Sequence, residues 1–323
     1  MKQLESCLIC HNPNLKEFYN LGLQPLVNNL KSTKKEPDQK FEIKVNYCYV
    51  CTHKQLSIAV DPKVLFSNYL YKTGVSKEHL KCFREFAQIP KGRTILDIGC
   101  NDESLLYYFY ILGWDCTGVE PSTFRAGMNN KKKYHIIRDF FPTKKPIKKK
   151  FDCITAFNVF AHNATPRQFM LEMAHLLKPG GRIYILTTKA KIDNFYHEHI
   201  SYFTPRSMTT LADSCGLDLR SLKEVPMHGT SYLFELARKE RFMFPDKDIL
   251  KNLKPPVIGY GASAHGIVLM NYLNFKPEYV VDDNELKQKK FIPGVNVPIY
   301  GSEYLATDPR DLTIVVLAYN LHD

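Results

Sequence analysis

The 323-residue chain contains no run of about 18 apolar residues, which excludes a bilayer-spanning helix. Its opening stretch, Met1 to Cys7, lacks the apolar core of a secretory leader, so a cytoplasmic chain with no membrane partner is expected. No internal repeat is present. There is no even complement of cysteines either: the nine present, without a secretion signal, argue against a disulfide framework. Five of them (Cys82, Cys100, Cys116, Cys153 and Cys215) are scattered in apolar contexts and read as small core residues.

Apolar residues make up 44% of the chain, enough for a sizeable core, and the length suits two or three domains. The formal net charge is +11, with lysines concentrated at Lys131–Lys133 and between Lys144 and Lys150. These runs read as solvated loops whose field would help a diphosphate ligand arrive. A nucleic-acid patch is the alternative. Three blocks follow from composition: residues 1–75, with paired cysteines and many turn residues; residues 76–240; and residues 241–323. The stretch from Arg238 to Pro256 reads as a linker between the last two.

The middle block alternates strands and helices. Strands are expected at Thr94–Ile98, Cys116–Glu120, Tyr134–Ile137, Asp152–Phe157 and Arg182–Thr187. Helices are expected at Ser104–Leu112 and Arg167–Leu177, with a turn at Leu177–Gly181. This rhythm predicts an α/β fold with a parallel sheet and helices on both faces. A second strand, glycine loop and helix begins at Val257 and leads to Asp282 and Asp283.

Two Cys-x-x-Cys pairs, Cys7/Cys10 and Cys48/Cys51, supply the four thiolates of a closed, structural zinc site. Gly22, Pro25 and Asn28–Asn29 provide turns within the long gap between them. The stretch Ile95-Leu-Asp97-Ile-Gly99-Cys-Asn101 is a strand, an acid and a tight loop, the nucleotide cradle of doubly wound sheets. Glu120 closes the next strand, where a carboxylate accepts two ribose hydroxyls. The loop is not a full G-x-G-x-x-G, and S-adenosylmethionine has no phosphate that would need one. Together with Leu177-Lys-Pro-Gly-Gly181, these features point to a class I methyltransferase core. The dense cluster Tyr196-His197-Glu198-His199 follows the fifth strand, at the carboxyl edge where ligands bind, and its groups can titrate near neutral pH. Val257-Ile-Gly259-Tyr-Gly261 suggests either a dinucleotide site or a Rossmann-like scaffold without cofactor.

The order of these motifs resembles the sugar C-methyltransferases of deoxysugar pathways over nearly the whole chain. Leu21-Gly-Leu-Gln-Pro-Leu26, Tyr69-Leu-Tyr71, Asn158-Val-Phe-Ala-His162, Tyr196-His-Glu-His-Ile-Ser-Tyr-Phe203, Phe291-Ile-Pro-Gly294 and Leu317-Ala-Tyr-Asn320 are similar to that family's segments. The resemblance implies a zinc-binding N-terminal domain, a class I methyltransferase core and a Rossmann-like C-terminal domain that binds no dinucleotide. It implies zinc on Cys7, Cys10, Cys48 and Cys51. S-adenosylmethionine would lie among Asp97, Gly99, Asn101, Glu120 and Asn158. A nucleotide-linked keto-deoxy sugar would face Tyr71, His162, Tyr196, Glu198 and His199. His199 would act as base, oriented by Glu198 or Tyr196, with His162 or Tyr71 beside the enolate oxygen. A monomer is expected. Glu103 departs from the family's glycine, and the chain ends a few residues after Asn320, where a truncated C-terminal domain is expected. The alternatives are sugar O-methylation, a nucleic-acid-binding zinc protein and a non-catalytic relative. Against the second, Asn158-Val-Phe lacks the Pro-Pro-aromatic signature of amino-group DNA methyltransferases.

Overall fold

The computed structural model describes residues 1–66, 72–122, 134–227, 230–239, 250 and 253–317. Tyr71, the Lys131–Lys133 run and the stretch 318–320 lie outside the described residues. Two compact units form, Met1–Glu240 and Arg241–Asp323. The 75/76 border expected from composition therefore falls inside the first unit. No helix among the described residues is long and apolar enough to cross a membrane.

Five strands open the chain: β1 (Lys2–Gln3), β2 (Leu15–Pro25), β3 (Lys40–Cys48), β4 (Lys54–Leu56) and β5 (Ile58–Ala59). β2, β3 and β4 form an antiparallel meander, and β1 pairs with β5. Two helices follow, α1 (Pro62–Phe66) and α2 (Lys77–Phe86), the latter capped by Ser76, whose hydroxyl accepts from His79 N.

The central sheet takes β6 (Thr94–Ile98), β7 (Asp115–Val119), β8 (His135–Ile137), β9 (Phe151–Phe157) and β10 (Leu177–Thr188) as parallel neighbours. Helices α3 (Ser104–Ile111) and α4 (Pro166–Leu176) are the crossovers. β6 and β9 are almost wholly buried, as expected of central strands covered on both faces. Later in the chain come β11 (Ser201–Tyr202), α5 (Pro205–Ser214), β12 (Leu217–Val225) and β13 (Ser231–Arg238). β12 and β13 form an antiparallel hairpin that joins the sheet against β10, giving the order β12-β13-β10-β9-β6-β7-β8.

The sheet is therefore mixed rather than wholly parallel. The last two strands are joined directly, with no crossover helix between them to reverse the direction. Two further expectations are corrected. Leu177–Gly181 belongs to β10 and carries a register irregularity there instead of a free turn. Arg238 ends β13 rather than starting a linker, because its guanidinium donates to the carbonyls of Ala174 and Leu177.

β11 does not join the central sheet. It pairs antiparallel with β4, Ser201 opposite Gln55 and Tyr202 opposite Lys54, and Leu56 N donates to Ile200 O. The buried cluster of this unit runs continuously from Leu96, Ile154 and Ile185 through Phe160 and Phe203 to Cys7, Cys48 and Cys51.

The second unit is a parallel four-stranded sheet of β14 (Val257–Tyr260), β15 (Val280–Val281), β16 (Ile299–Tyr300) and β17 (Thr313–Val316), with helix α6 (Ala264–Leu273) after β14. Asp282, the acid of the apparent dinucleotide motif, accepts from Ala262 N, Asn284 N and Lys287 Nζ. A Cβ on Gly266 would lie 2.7 Å from the Leu317 carbonyl oxygen, and Ser263 also donates to that carbonyl. These bonds tie the loop to the residues that follow β15 and β17.

At the amino ends of the central strands, Asp152 fastens β9 to β6. Its Oδ2 accepts from Arg93 N, Thr94 N, the Thr94 hydroxyl and Lys178 Nζ. Burial pushes this carboxyl up, but the four donors outweigh it and hold its pKa at about 2, below the ordinary 3.8. A depressed carboxyl stabilises the fold above its unfolded value and loses that contribution as pH falls through the folded one. Asp152→Ala is expected to cost about 2 kcal/mol near neutrality. In urea titrations that deficit should shrink as pH falls below 4 toward 2. A pH-independent deficit would show that the carboxylate charge is not the cause.

Candidate active site

The site is built where β6, β7, β9 and β10 end. β6 delivers Asp97, and the chain then turns through left-handed residues at Gly99, Asn101 and Glu103, with φ of 70°, 46° and 65°. Gly99 is required twice over. Its φ is left-handed, and a Cβ there would lie 2.9 Å from the Val159 side chain. The turn is held by Glu120 at the end of β7, whose Oε2 accepts from Asn101 N and whose Oε1 accepts from Ser122 N. Asn101 Oδ1 in turn accepts from Thr73 N, and Asp102 accepts from Gly74 N. The segment before α2 is thereby pinned over the loop.

Glu103 takes the backbone conformation that suits glycine, at a cost of about 1 kcal/mol. Its side chain is buried outside the cavity, with Arg138 Nη2 3.8 Å away. Its bulk does not enter the space where the sequence placed the cofactor.

A cavity of about 690 Å³ opens at this edge. Asp97, Gly99, Asn101, Glu120 and Asn158 all line it, as do His162, Tyr196 and His199. Its charged lining is acidic: Asp97, Asp102, Glu120, Asp139 and Asp193, with no lysine or arginine among the described lining residues. This suits a ligand with positive charge. Asn158 Oδ1 and Ser122 Oγ are buried without partners at the wall. Such orphaned polar atoms call for a polar ligand. S-adenosylmethionine fits on both counts, with its sulfonium, its ammonium and its hydroxylated ribose. Glu120, already oriented by two backbone N–H groups, keeps lone pairs for ribose hydroxyls.

Asp97 is 3% exposed and accepts from the Thr155 hydroxyl at 2.7 Å. Burial, aided by the charges of Glu120 and Asp102, pushes its pKa up to about 7 despite that bond.

The segment between β10 and β11 supplies the other wall. His199 Nδ1 lies 3.2 Å from Asn194 O and Nε2 lies 2.8 Å from the Tyr196 hydroxyl. A carbonyl only accepts, so Nδ1 carries the proton and the Nε2 lone pair receives the Tyr196 O–H. The His162 ring stacks on His199, centroids 5.2 Å apart, and on Phe66 at 5.5 Å. Glu198 is placed differently from the sequence expectation. It is 1% exposed, does not line the cavity, and accepts from Asn28 Nδ2 at 2.8 Å. Residues 196–199 form a turn closed by His199 N donating to Tyr196 O, and within it His199 faces the cavity while Glu198 faces Asn28, so the two do not share a wall. Asn28, Asp102 and Asp193 line the cavity and were missed. Asn28 had been read only as a turn residue, and nothing local in the sequence marks the other two.

The four cysteine sulfurs lie within 4.8 Å of one another, Cys7 to Cys51 at 3.4 Å and Cys10 to Cys48 at 3.5 Å. Four sulfurs this close match the shell of a tetrahedral zinc. The two knuckles have the same backbone plan. Cys7 N donates to Asn12 O and Cys48 N to His53 O, while His11 N and Thr52 N donate to Cys7 O and Cys48 O. His11 and Thr52, each just after a second cysteine, share a left-handed φ near 60°.

Fold and site define an S-adenosylmethionine-dependent methyltransferase with a zinc centre. Comparison with protein families agrees: residues 72–222 match a methyltransferase domain, residues 248–323 a C-methyltransferase C-terminal domain, and residues 7–66 a model described as "Putative zinc binding domain". The C-methyltransferase NovU of Streptomyces niveus is 22% identical in an alignment spanning 99% of this chain and 91% of NovU. A ubiquinone biosynthesis O-methyltransferase of Coxiella burnetii is 23% identical over 46% of this chain and 73% of its own length. Among solved structures, the magnesium protoporphyrin IX methyltransferase of Synechocystis PCC 6803 aligns at 14% identity with a TM-score of 0.43, covering 56% of this chain and 98% of that one. The three matches lie in series along the chain and, with NovU, support an S-adenosylmethionine-dependent C-methyltransferase.

Two outcomes are expected. Elemental analysis of the purified protein should find about one zinc per chain. Cys48→Ser should lose the metal and lower the melting temperature, since metal binding is coupled to folding; metal-free protein with an unchanged transition would contradict this. The second concerns Asp97, whose carboxylate form would attract a cationic group in the cavity. Affinity for S-adenosylhomocysteine, measured by calorimetry, should therefore rise between pH 6 and 8 and fall about tenfold per unit well below 7. Asp97→Asn should bind weakly with no such slope. The raised pKa has the opposite sign for stability, so Asp97 costs the free protein increasingly from pH 4 to 7.

Proposed function

We propose that the enzyme methylates a carbon beside a ketone in a nucleotide-linked deoxysugar, by way of an enolate. The observation that carries this reading is the His199–Tyr196 pair on the cavity wall. A C–H bond is ordinarily too weak an acid for an enzyme base, but an adjacent carbonyl delocalises the resulting charge onto oxygen. Removing that proton needs a neutral base with a fixed lone pair, and His199 has one at Nε2 because Asn194 O holds its Nδ1–H. Tyr202 donates to the same carbonyl and steadies it.

Nε2 has one lone pair, engaged at rest by the Tyr196 O–H at 2.8 Å, so the phenol turns away as the substrate C–H enters and Nε2 takes its proton. The phenol's own O–H is then released to donate to the growing negative charge on the keto oxygen. His162, stacked against the base, is a second donor on that wall. Bound S-adenosylmethionine supplies an electrophilic methyl group on a cationic sulfur. The acidic lining and the pinned loop hold and orient the cofactor. The sugar is supported by the match to the family's YHEH and NVxAH segments, and carbon as the acceptor atom by the C-methyltransferase domain and NovU.

The test incubates the enzyme and S-adenosylmethionine with a panel of nucleotide-linked keto sugars and reads products by mass spectrometry and NMR. A product heavier by one CH2 with the new methyl on carbon is expected. His199→Ala should bind S-adenosylhomocysteine normally and turn over roughly 100-fold more slowly. In heavy water the wild type should also exchange the proton beside the ketone, and His199→Ala should not. A methyl found on oxygen would refute the enolate.

A further inference from the structure

We infer that Asn28 reads a hydroxyl of the acceptor, and that Glu198 is a positioning residue acting through it. The inference rests on the sugar reading above. Asn28 comes from the zinc-bearing N-terminal segment, and Glu198 comes from the segment that carries the base. They meet across 170 sequence positions, Asn28 Nδ2 donating to Glu198 Oε1 at 2.8 Å.

Three observations make this more than a structural tie. First, the geometry fixes which way the amide points. A carboxylate only accepts, so the atom facing Glu198 is the NH2 group, and Oδ1 is left as the acceptor of a side chain that lines the cavity. Second, Glu198 is 1% exposed with Oε2 unpartnered. Burying a carboxylate on one amide bond is costly, and an apolar contact would fasten the loop more cheaply. Third, the backbone presents Asn28 deliberately. Leu26 is buried with Val60 and Leu65, and a turn closed by Asn29 N donating to Leu26 O carries Val27 and Asn28 at its tip.

An amide whose N–H binds an anion has an electron-rich oxygen and is a stronger acceptor. It selects an O–H donor. Neither the ketone nor the ring oxygen of a sugar offers one, so the group it reads is a sugar hydroxyl. The cost of Glu198 is thus exchanged for discrimination: an acceptor lacking that hydroxyl leaves Asn28 Oδ1 without its partner. The zinc-bearing segment therefore contributes to acceptor choice as well as to folding.

The experiment compares an active acceptor with its analogues, each deoxygenated at one hydroxyl, in the wild type, Asn28→Ala, Glu198→Gln and Glu198→Ala. The wild type should lose about 10-fold in kcat/KM on one analogue. Asn28→Ala should show that loss on the parent acceptor, mostly in KM, and treat parent and analogue alike, with unchanged S-adenosylhomocysteine affinity. Glu198→Gln keeps an acceptor for the amide and should retain most of the discrimination, whereas Glu198→Ala should lose it. Discrimination that survives Asn28→Ala overturns the inference, as does a loss confined to cofactor affinity. A wild type that turns over no nucleotide-linked sugar removes instead the reading on which the inference rests.

Discussion

The short pairing of β11 with β4 is the constraint on which the site depends. It covers only Ser201 and Tyr202 opposite Gln55 and Lys54, with Ile200 O accepting from Leu56 N. Yet it takes a segment leaving the carboxyl edge of the central sheet and fixes it to the sheet that carries the zinc knuckles. His199 lies just before this pairing, and Asn194, whose carbonyl sets the histidine tautomer, lies just before that. Were the segment free, His199 would sit on an unanchored loop. Held at both ends, by β10 and by β4, it becomes a wall. The His53 ring, fully buried and bonded to Ser201 Oγ, and the Phe203 ring against it reinforce the join from below.

The same join explains why zinc belongs in this enzyme. Cys48 ends β3 and Cys51 precedes β4, so the metal would clamp the turn that leads into β4, the strand that receives β11. The cysteines also lie in one buried cluster with Phe160 and Phe203, which flank the catalytic segment. A structural metal thereby stands two steps behind His199 without touching it.

The opposite wall is governed by the cost of burying acids. Asp97 and Glu120 are nearly inaccessible, and each is tolerated for a different reason. Glu120 is satisfied by two backbone N–H groups, whereas Asp97 has one hydroxyl donor and a pKa raised to about 7. The free protein carries this mismatch, and a cationic ligand relieves it. The left-handed turn through Gly99, Asn101 and Glu103 is the backbone's part in the same arrangement, since it brings the Asn101 N–H to bear on Glu120.

Much of this was legible in the chain, because some chemistry is written in local spacing. Two Cys-x-x-Cys pairs announce four sulfurs wherever they fold, and the strand-acid-glycine pattern at Asp97 with Glu120 one strand later marks the cofactor edge through backbone geometry alone. The helices and parallel strands followed from their periodicities. What the sequence left open depends on long-range pairing. Glu198 and His199 are adjacent letters in one motif, yet they meet different partners, a difference set by how the turn at residues 196–199 is held between β10 and the pairing with β4. Asn28 had no signature because its role exists only where a segment from the zinc sheet meets Glu198 across 170 positions. Glu103 looked like an intrusion on the cofactor until its left-handed backbone turned the side chain away from the cavity. Sequence determines which groups are available and the local turns that hold them. Tertiary structure decides which of them share a wall, because side-chain direction is settled by contacts that no short window contains.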